Sequence, residues 1–347
     1  MTLLDAPFTF SLPTSSIASA PAEIRGEGRD DVRLMVAHRS SEVIVDDVFP
    51  DLGSYLRPGD VLVVNTSETI PAAVDVVADN GTRLRAHFAG PASAGLWQVE
   101  VRAITPSGGT EPGPDLAPQT LRMPSNAVLH LLARSPRTPR LWIAAFAGEE
   151  DVPEYLTRHG EPVRYAGGER WPIESYQTVF AAQPGSAEMP SAGRPFTASL
   201  VTRLGSAGVS LVPIVLHAGV SSYEGDETPG EERYEVSASS AAVINTLRRS
   251  GGRVIAVGTT VVRALESVVD DLGSVHPGQG TTDVIVSPTR PPRAVDGLLT
   301  GWHEPRSSHL DLLESLLPRP QLRDVYDEAL ARGYLWHEFG DLLLVIP

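Results

Sequence analysis

Apolar positions change their spacing near residue 148 of the chain. Ahead of that point the apolar segments are short and separated by turn residues. The chain starts turn-rich at Leu12-Pro13, and residues 32–37 predict a short strand. A loop at Arg57-Pro58-Gly59-Asp60 leads into an apolar run over residues 61–64. Residues 74–78 and 82–87 alternate in character around Asn80-Gly81, a pair that favours a two-residue hairpin turn. Residues 96–104 predict a third strand, residues 106–118 are dense in Gly and Pro and read as a loop, and residues 128–132 and 141–146 add two strands. Short strands with turns and no clear helix predict a small antiparallel barrel or sandwich.

Beyond Gly148 strands alternate with helices. Phe196, Leu200 and Leu204 recur at helical spacing, and Gly208 ends that helix before the apolar run 209–216. Val243, Ile244 and Leu247 mark another helix, closed by Gly251-Gly252 and followed by a strand over residues 254–257. Ser307 can cap a helix through Leu317, and Pro320 opens one that carries Leu322, Val325, Tyr326, Ala329 and Leu330 on its apolar face. A strand over residues 342–346 finishes the chain. The fold expected is α/β: a mixed sheet covered by helices, formed by residues 1–62 and 148–347, with residues 63–147 inserted as a small antiparallel β-barrel.

Composition narrows the chemistry. The 347 residues are 41% hydrophobic, enough to bury a sizeable core, and their number suits two domains or one with an insertion. Lys+Arg total 28 against 43 Asp+Glu, a formal charge of −15, so the chain does not grip nucleic acid by net charge alone. All basic residues are arginine, which excludes a Schiff-base lysine and the lysine of a phosphate-binding loop. With no cysteine there is no thiolate nucleophile, iron–sulfur cluster or cysteine-bound zinc. No His/Asp/Glu spacing reads as a metal site. The first ten residues lack a secretory pattern and no apolar run approaches the roughly 20 residues of a membrane helix, so a cytoplasmic protein without membrane contact is expected.

The sharpest local pattern is VIAVGTTVVRALES at residues 254–267. A buried strand ends at Gly258, Thr259 and Thr260 follow, and a helix begins whose unpaired N–H groups suit a carboxylate or phosphate. Arg263 and Glu266 share one face of that helix; an ordinary strand-to-helix turn with threonine caps would give the same pattern. His217 stands at the end of an apolar strand, where α/β sheets bind ligands. His303 lies in a loop before a capped helix. A lone histidine in either place is more often structural than catalytic. Residues 174–197 form a long irregular segment in which Tyr176, Gln177 and Phe180 offer the stacking and amide readout a purine needs, although a plain surface loop would read the same way.

Taken in order, LRPGDVLVVNTSETIPA, YQTVFA, MPSAGRPFT, VLHAG, VIAVGTTVVRALES, TTDVIVSP, VDGLLTGWHEPRSS and FGDLLLVI resemble the S-adenosylmethionine:tRNA ribosyltransferase-isomerases of the queuosine pathway, over residues 8 to 346. The resemblance implies an α/β body with an inserted β-barrel. It also implies S-adenosylmethionine as a co-substrate that donates ribosyl, without a metal. A base removes a proton beside the sulfonium, adenine leaves, the aminomethyl group of a 7-deazaguanine wobble base attacks the sugar, methionine departs and an epoxide closes. On this reading Gly258, Thr259, Thr260, Arg263 and Glu266, with Tyr176 and Gln177, hold the donor. His217, His303 and Asp341 are the catalytic candidates.

The sequence also departs from the family pattern. Glu68 and Ala73 stand where relatives carry arginine, and Pro195 replaces a histidine. Ser221, Ser222 and Tyr223 replace a Gly-Thr-Phe stretch, Glu227 and Gly230 replace two histidines, and Gly301-Trp302 replaces Asn-Phe. These changes favour a donor site kept beside an altered acceptor site. The expected acceptor is tRNA, with a small molecule as the alternative and a non-catalytic binding protein as a third reading. A monomer is expected. Arg134, Arg137, Arg140, Arg290 and Arg293 are the arginines expected to line one face if tRNA binds.

Overall fold

The computed structural model describes residues 8–220 and 230–347. Its strands in chain order are β1 (Arg33–His38), β2 (Ile44–Val48), β3 (Val61–Asn65), β4 (Ser67–Thr69), β5 (Ala73–Val77), β6 (Arg83–Pro91), β7 (Trp97–Ile104), β8 (Thr110–Glu111) and β9 (Thr120–Arg122). There follow β10 (Val128–Arg134), β11 (Leu141–Ala147), β12 (Gln183–Ser186), β13 (Ser210–His217), β14 (Glu232–Val236), β15 (Val254–Val257), β16 (Gly278–Thr282), β17 (Gly297–Gly301) and β18 (Leu342–Ile346).

Nine strands form a mixed sheet in the order β16-β14-β13-β3-β15-β17-β18-β1-β2. Its centre, β13-β3-β15-β17, is parallel, and β18 runs antiparallel to β17. Alternate residues of the central strands serve two separate cores. Met35, Val61, Val63, Ala256, Leu298 and Leu343 face one side, with the helices Ala238–Arg249, Thr259–Glu266, Ser308–Leu316 and Arg319–Ala331. Leu34, Leu62, Val64, Ile255, Leu299 and Leu344 face the other, with Phe49, Phe196 and the helix Ala198–Ser206. Burial on both faces explains why these strands read as unbroken apolar runs. The mixed α/β body agrees with the pattern in the sequence.

The second sheet has seven strands in the order β11-β10-β9-β5-β6-β7-β8, with β7 also pairing β11, and every pairing is antiparallel. Val74, Leu84, Phe88, Val99, Leu121, Leu129 and Trp142 fill a third core, capped by Val152, Tyr155 and Leu156 of the helix Val152–His159. The expected boundary at residue 63 falls inside β3, because residues 63–65 pair with β13 in the large sheet. The second sheet begins at Ala73.

Candidate active site

Parallel strands place their C-terminal ends side by side, and in open α/β sheets that edge is where ligands sit. Here the edge gathers Asn65 from β3, His217 from β13, Gly258 after β15 and Gly301 from β17. Since β18 is antiparallel to β17, the loop that precedes it arrives at the same edge and brings His337 and Glu338. A cavity of about 240 Å³ opens there. Asn65 ties β3 to β13 at this edge: its carbonyl accepts from Leu216 N–H at 3.0 Å and its amide donates to Leu216 O at 2.8 Å.

Gly258 joins strand to helix at φ 97°, a left-handed value that favours glycine. Its N–H donates to Leu299 O at 2.8 Å, after which Thr259 begins the helix Thr259–Glu266. Gly258, Thr259 and Thr260 line the cavity, so the positive end of the helix faces it.

Four carboxyl groups complete the lining: Glu188, Glu232, Glu304 and Glu338. Tyr165 donates its hydroxyl to Glu188 Oε1 at 2.5 Å. Burial, followed by the charges of Glu188 and Glu304, pushes Glu338 up to about 8, so it carries a proton at neutral pH. Burial also raises Glu304, with Glu188 adding to the effect. Three imidazoles share the space. His303 and His309 stack with ring centroids 4.6 Å apart. Burial, with His309 beside it, holds His303 well below the usual 6.5. Burial lowers His309 and His337 each to about 4. All three are therefore neutral near pH 7.

Gly258, Thr259, Thr260, Arg263 and His303 thus come together in the cavity wall. Arg263, however, is 5% exposed and already engaged. Its guanidinium forms an ion pair with Glu232 and donates to Gly230 O at 2.9 Å, Val284 O at 3.1 Å and Thr282 O at 3.2 Å. Glu266 does not line the cavity; one of its oxygens accepts from the N–H groups of Arg293 and Ala294, both at 2.7 Å, and fastens the loop that feeds β17. Asp341 does not line it either. Its carboxylate accepts from Arg33 N–H and Leu335 N–H, each at 2.8 Å, which closes the loop bearing His337 and Glu338. Tyr176 is buried against Phe339 at 5.2 Å. Gln177 exchanges two hydrogen bonds with the Thr69 backbone, at 3.0 and 2.8 Å. These last two residues support the cavity loops and do not face the space.

His217 lines a second cavity of about 470 Å³ that shares Arg140, Val220, Gly230 and Glu232 with the first. Ser67 Oγ lies 2.8 Å from its Nδ1. Burial, with Arg233 nearby, lowers His217 to about 4.

Glu188, Glu304, Glu338, His309 and His337 were not apparent as a group in the sequence. One signal for them exists: the tripeptide Trp-His-Glu occurs twice, at residues 302–304 and 336–338, and both copies deliver their His and Glu to the cavity. The two tryptophans pack at 5.2 Å.

Among the departures, Glu68 lies on β4, Ala73 is buried in β5 and Pro195 is buried, and none of them lines either cavity. Ser221, Ser222, Tyr223 and Glu227 lie outside the described residues. The five arginines each meet a protein partner. Arg134 stacks over Trp142 at 4.1 Å and Arg137 pairs with Glu231 and Asp283. Arg140 pairs with Glu100, Arg290 donates to Ile285 O and Arg293 pairs with Asp271.

Fold and site together define an α/β protein with an acidic, histidine-lined cavity at the C-terminal edge of a parallel sheet, next to a glycine-entered helix. The family model described as "Queuosine biosynthesis protein" matches residues 6–345, and the chain belongs to that family. It is 35% identical over 349 residues to the S-adenosylmethionine:tRNA ribosyltransferase-isomerase of Symbiobacterium thermophilum, and 33% identical over 353 residues to that of Desulforamulus reducens. Each match covers 98% of both chains. The crystal structure of the S-adenosylmethionine tRNA ribosyltransferase of Thermotoga maritima superposes with a TM-score of 0.56 at 27% identity, covering 98% of this chain and 100% of that one.

Proposed function

We propose that the protein is an S-adenosylmethionine-dependent ribosyltransferase-isomerase that acts on a 7-aminomethyl-7-deazaguanine base in tRNA, with the donor in the first cavity. One observation carries this reading: four carboxyl groups and three neutral imidazoles line the cavity beside the helix entry at Gly258. S-adenosylmethionine supplies an activated sugar and two leaving groups, adenine and methionine. A sulfonium is cationic, so the carboxylates of Glu188 and Glu304 suit it, and Tyr165 orients the first. His303, neutral and held at Nε2 by Thr300 Oγ1 at 2.9 Å, takes the proton beside the sulfonium. Glu338 arrives protonated and gives its proton to the departing adenine. Asp341 acts by shaping the loop that presents Glu338, and His217 serves the neighbouring acceptor cavity.

In this reading residues 1–62 and 148–347, extended to the end of β3, form the donor-binding body. The segment up to residue 147 closes as a small barrel, supported by the double pairing of β7 with β6 and β11. We take the protein to act as a monomer, and a tRNA substrate implies a cytoplasmic location. The ion pairing of Arg137 and Arg293 favours a small-molecule acceptor as the second reading. Label placement tests the function: S-adenosylmethionine labelled in its ribose should transfer label to tRNA, whereas methyl label should leave with methionine. Methyl label on the tRNA would overturn it.

A further inference from the structure

A buried pair of hydroxyl groups stands behind His217. Ser67 Oγ lies 2.6 Å from Ser186 Oγ and 2.8 Å from His217 Nδ1. Ser186 Oγ also accepts from the Ala218 N–H at 3.0 Å. Ser67 is 1% exposed and Ser186 is fully buried, so both hydroxyl protons must end within this chain of atoms. Because the Ala218 nitrogen is a donor, Ser67 Oγ is the acceptor left for the Ser186 proton among the described residues. Ser67 must then direct its own proton to His217 Nδ1. Any arrangement that puts the ring proton on Nδ1 strands one of the two hydroxyls without an acceptor. The neutral ring therefore carries its proton on Nε2.

The ring is also fixed in place. A Cβ at Gly185 would stand 2.5 Å from His217 Nδ1, so the bare glycine backbone is what allows the imidazole this close. The Nε2 edge makes no hydrogen bond to the protein among the described residues, and the half-buried ring lines the second cavity. Burial keeps the ring neutral across the physiological range.

We propose that the second cavity binds a planar heterocyclic base whose carbonyl oxygen accepts a hydrogen bond from His217 Nε2–H, with Ser67 and Ser186 as positioning residues that fix this tautomer. The proposal rests on the acceptor reading given above and deepens it: His217 recognises the acceptor as a hydrogen-bond donor and does not act as the proton acceptor. The walls shared between the two cavities put a base bound there next to the donor.

Nitrogen-15 NMR of the histidine side chains reads the tautomer without turnover. His217 should show a protonated Nε2 and a bare Nδ1, and Ser67→Ala or Ser186→Ala should give a mixture. A protonated Nδ1 in the unsubstituted protein overturns the proposal. Titration with free 7-aminomethyl-7-deazaguanine should shift the His217 Nε2 proton resonance, and an unmoved resonance at saturating base also overturns it. In turnover, His217→Gln keeps an N–H near the Nε2 position and should retain the KM for acceptor tRNA. His217→Ala should raise that KM roughly 3- to 10-fold, the worth of one neutral hydrogen bond. Equal losses in both variants refute the donor role. An inactive wild-type protein would refute the ribosyl-transfer reading alone, because the tautomer and the base titration are read independently.

Discussion

Replacing Glu338 with glutamine removes one titrating group while keeping its shape, which isolates the proton this carboxyl holds. Raising a carboxyl from 4.5 to about 8 corresponds to at most about 5 kcal/mol between its protonated and ionised forms. Glu338 is only half-buried and its acidic neighbours titrate with it, so about 2 kcal/mol is expected to appear in stability. Below 4.5 folded and unfolded chains are both protonated here. Between 4.5 and 8 the folded chain keeps a proton that the unfolded chain has lost, so this contribution to stability falls as pH rises through that window and is gone above it. Urea denaturation at about pH 5 and about pH 9 measures the effect: Glu338→Gln should gain about 2 kcal/mol on the wild type between those two conditions. Parallel pH dependence in the two proteins would refute the reasoning. In turnover the same variant should lose roughly 10²- to 10⁴-fold in kcat, the usual worth of a general acid, with donor affinity nearly intact.

Arg263→Ala leaves Glu232 buried without its partner and should cost about 3–5 kcal/mol of stability, seen as a lowered Tm, so a drop in donor affinity without loss of stability would contradict the geometry. Gly258→Ala forces a side chain onto φ 97° and should cost about 1 kcal/mol or more while weakening S-adenosylmethionine binding in calorimetry; an unchanged enzyme would remove the turn from the site. Asp341→Asn weakens the clasp on the loop of His337 and Glu338 and should speed amide exchange at Leu335, whereas unaltered exchange would show that the loop holds without it. If tRNA binds across Arg137 and Arg140, their double replacement by alanine should flatten the salt dependence of tRNA binding, and an unchanged slope places the contact elsewhere.

How far the sequence revealed the fold depended on how locally each element is specified. The hairpin at Asn80-Gly81, the Ser307 cap and the Gly251 stop are written in adjacent residues, and all three stand in the structure. The strand β16 reads GQGTT and offers no apolar alternation; it exists because β14 supplies its hydrogen-bond partner. The helix Val152–His159 follows a charged loop and buries only three side chains, too few for a visible period. The site divides in the same way. Gly258 to Thr260 stood out because a turn and a helix start fall together, whereas Glu188, Glu304 and Glu338 are distant loop residues, and only the repeated Trp-His-Glu links the last two before folding. Asp341 and Glu266 match the family pattern, but their bonds show each of them pinning a loop.

If the first cavity carries out ribosyl transfer, it divides S-adenosylmethionine among three products. The most direct measurement incubates the pure protein with S-adenosylmethionine and tRNA bearing the aminomethyl-deazaguanine, then quantifies small molecules and digested nucleosides by mass spectrometry. Adenine, methionine and a ribosyl-derivatised nucleoside should form in equal amounts, with none formed by His303→Ala. S-adenosylhomocysteine together with a methylated nucleoside would contradict it.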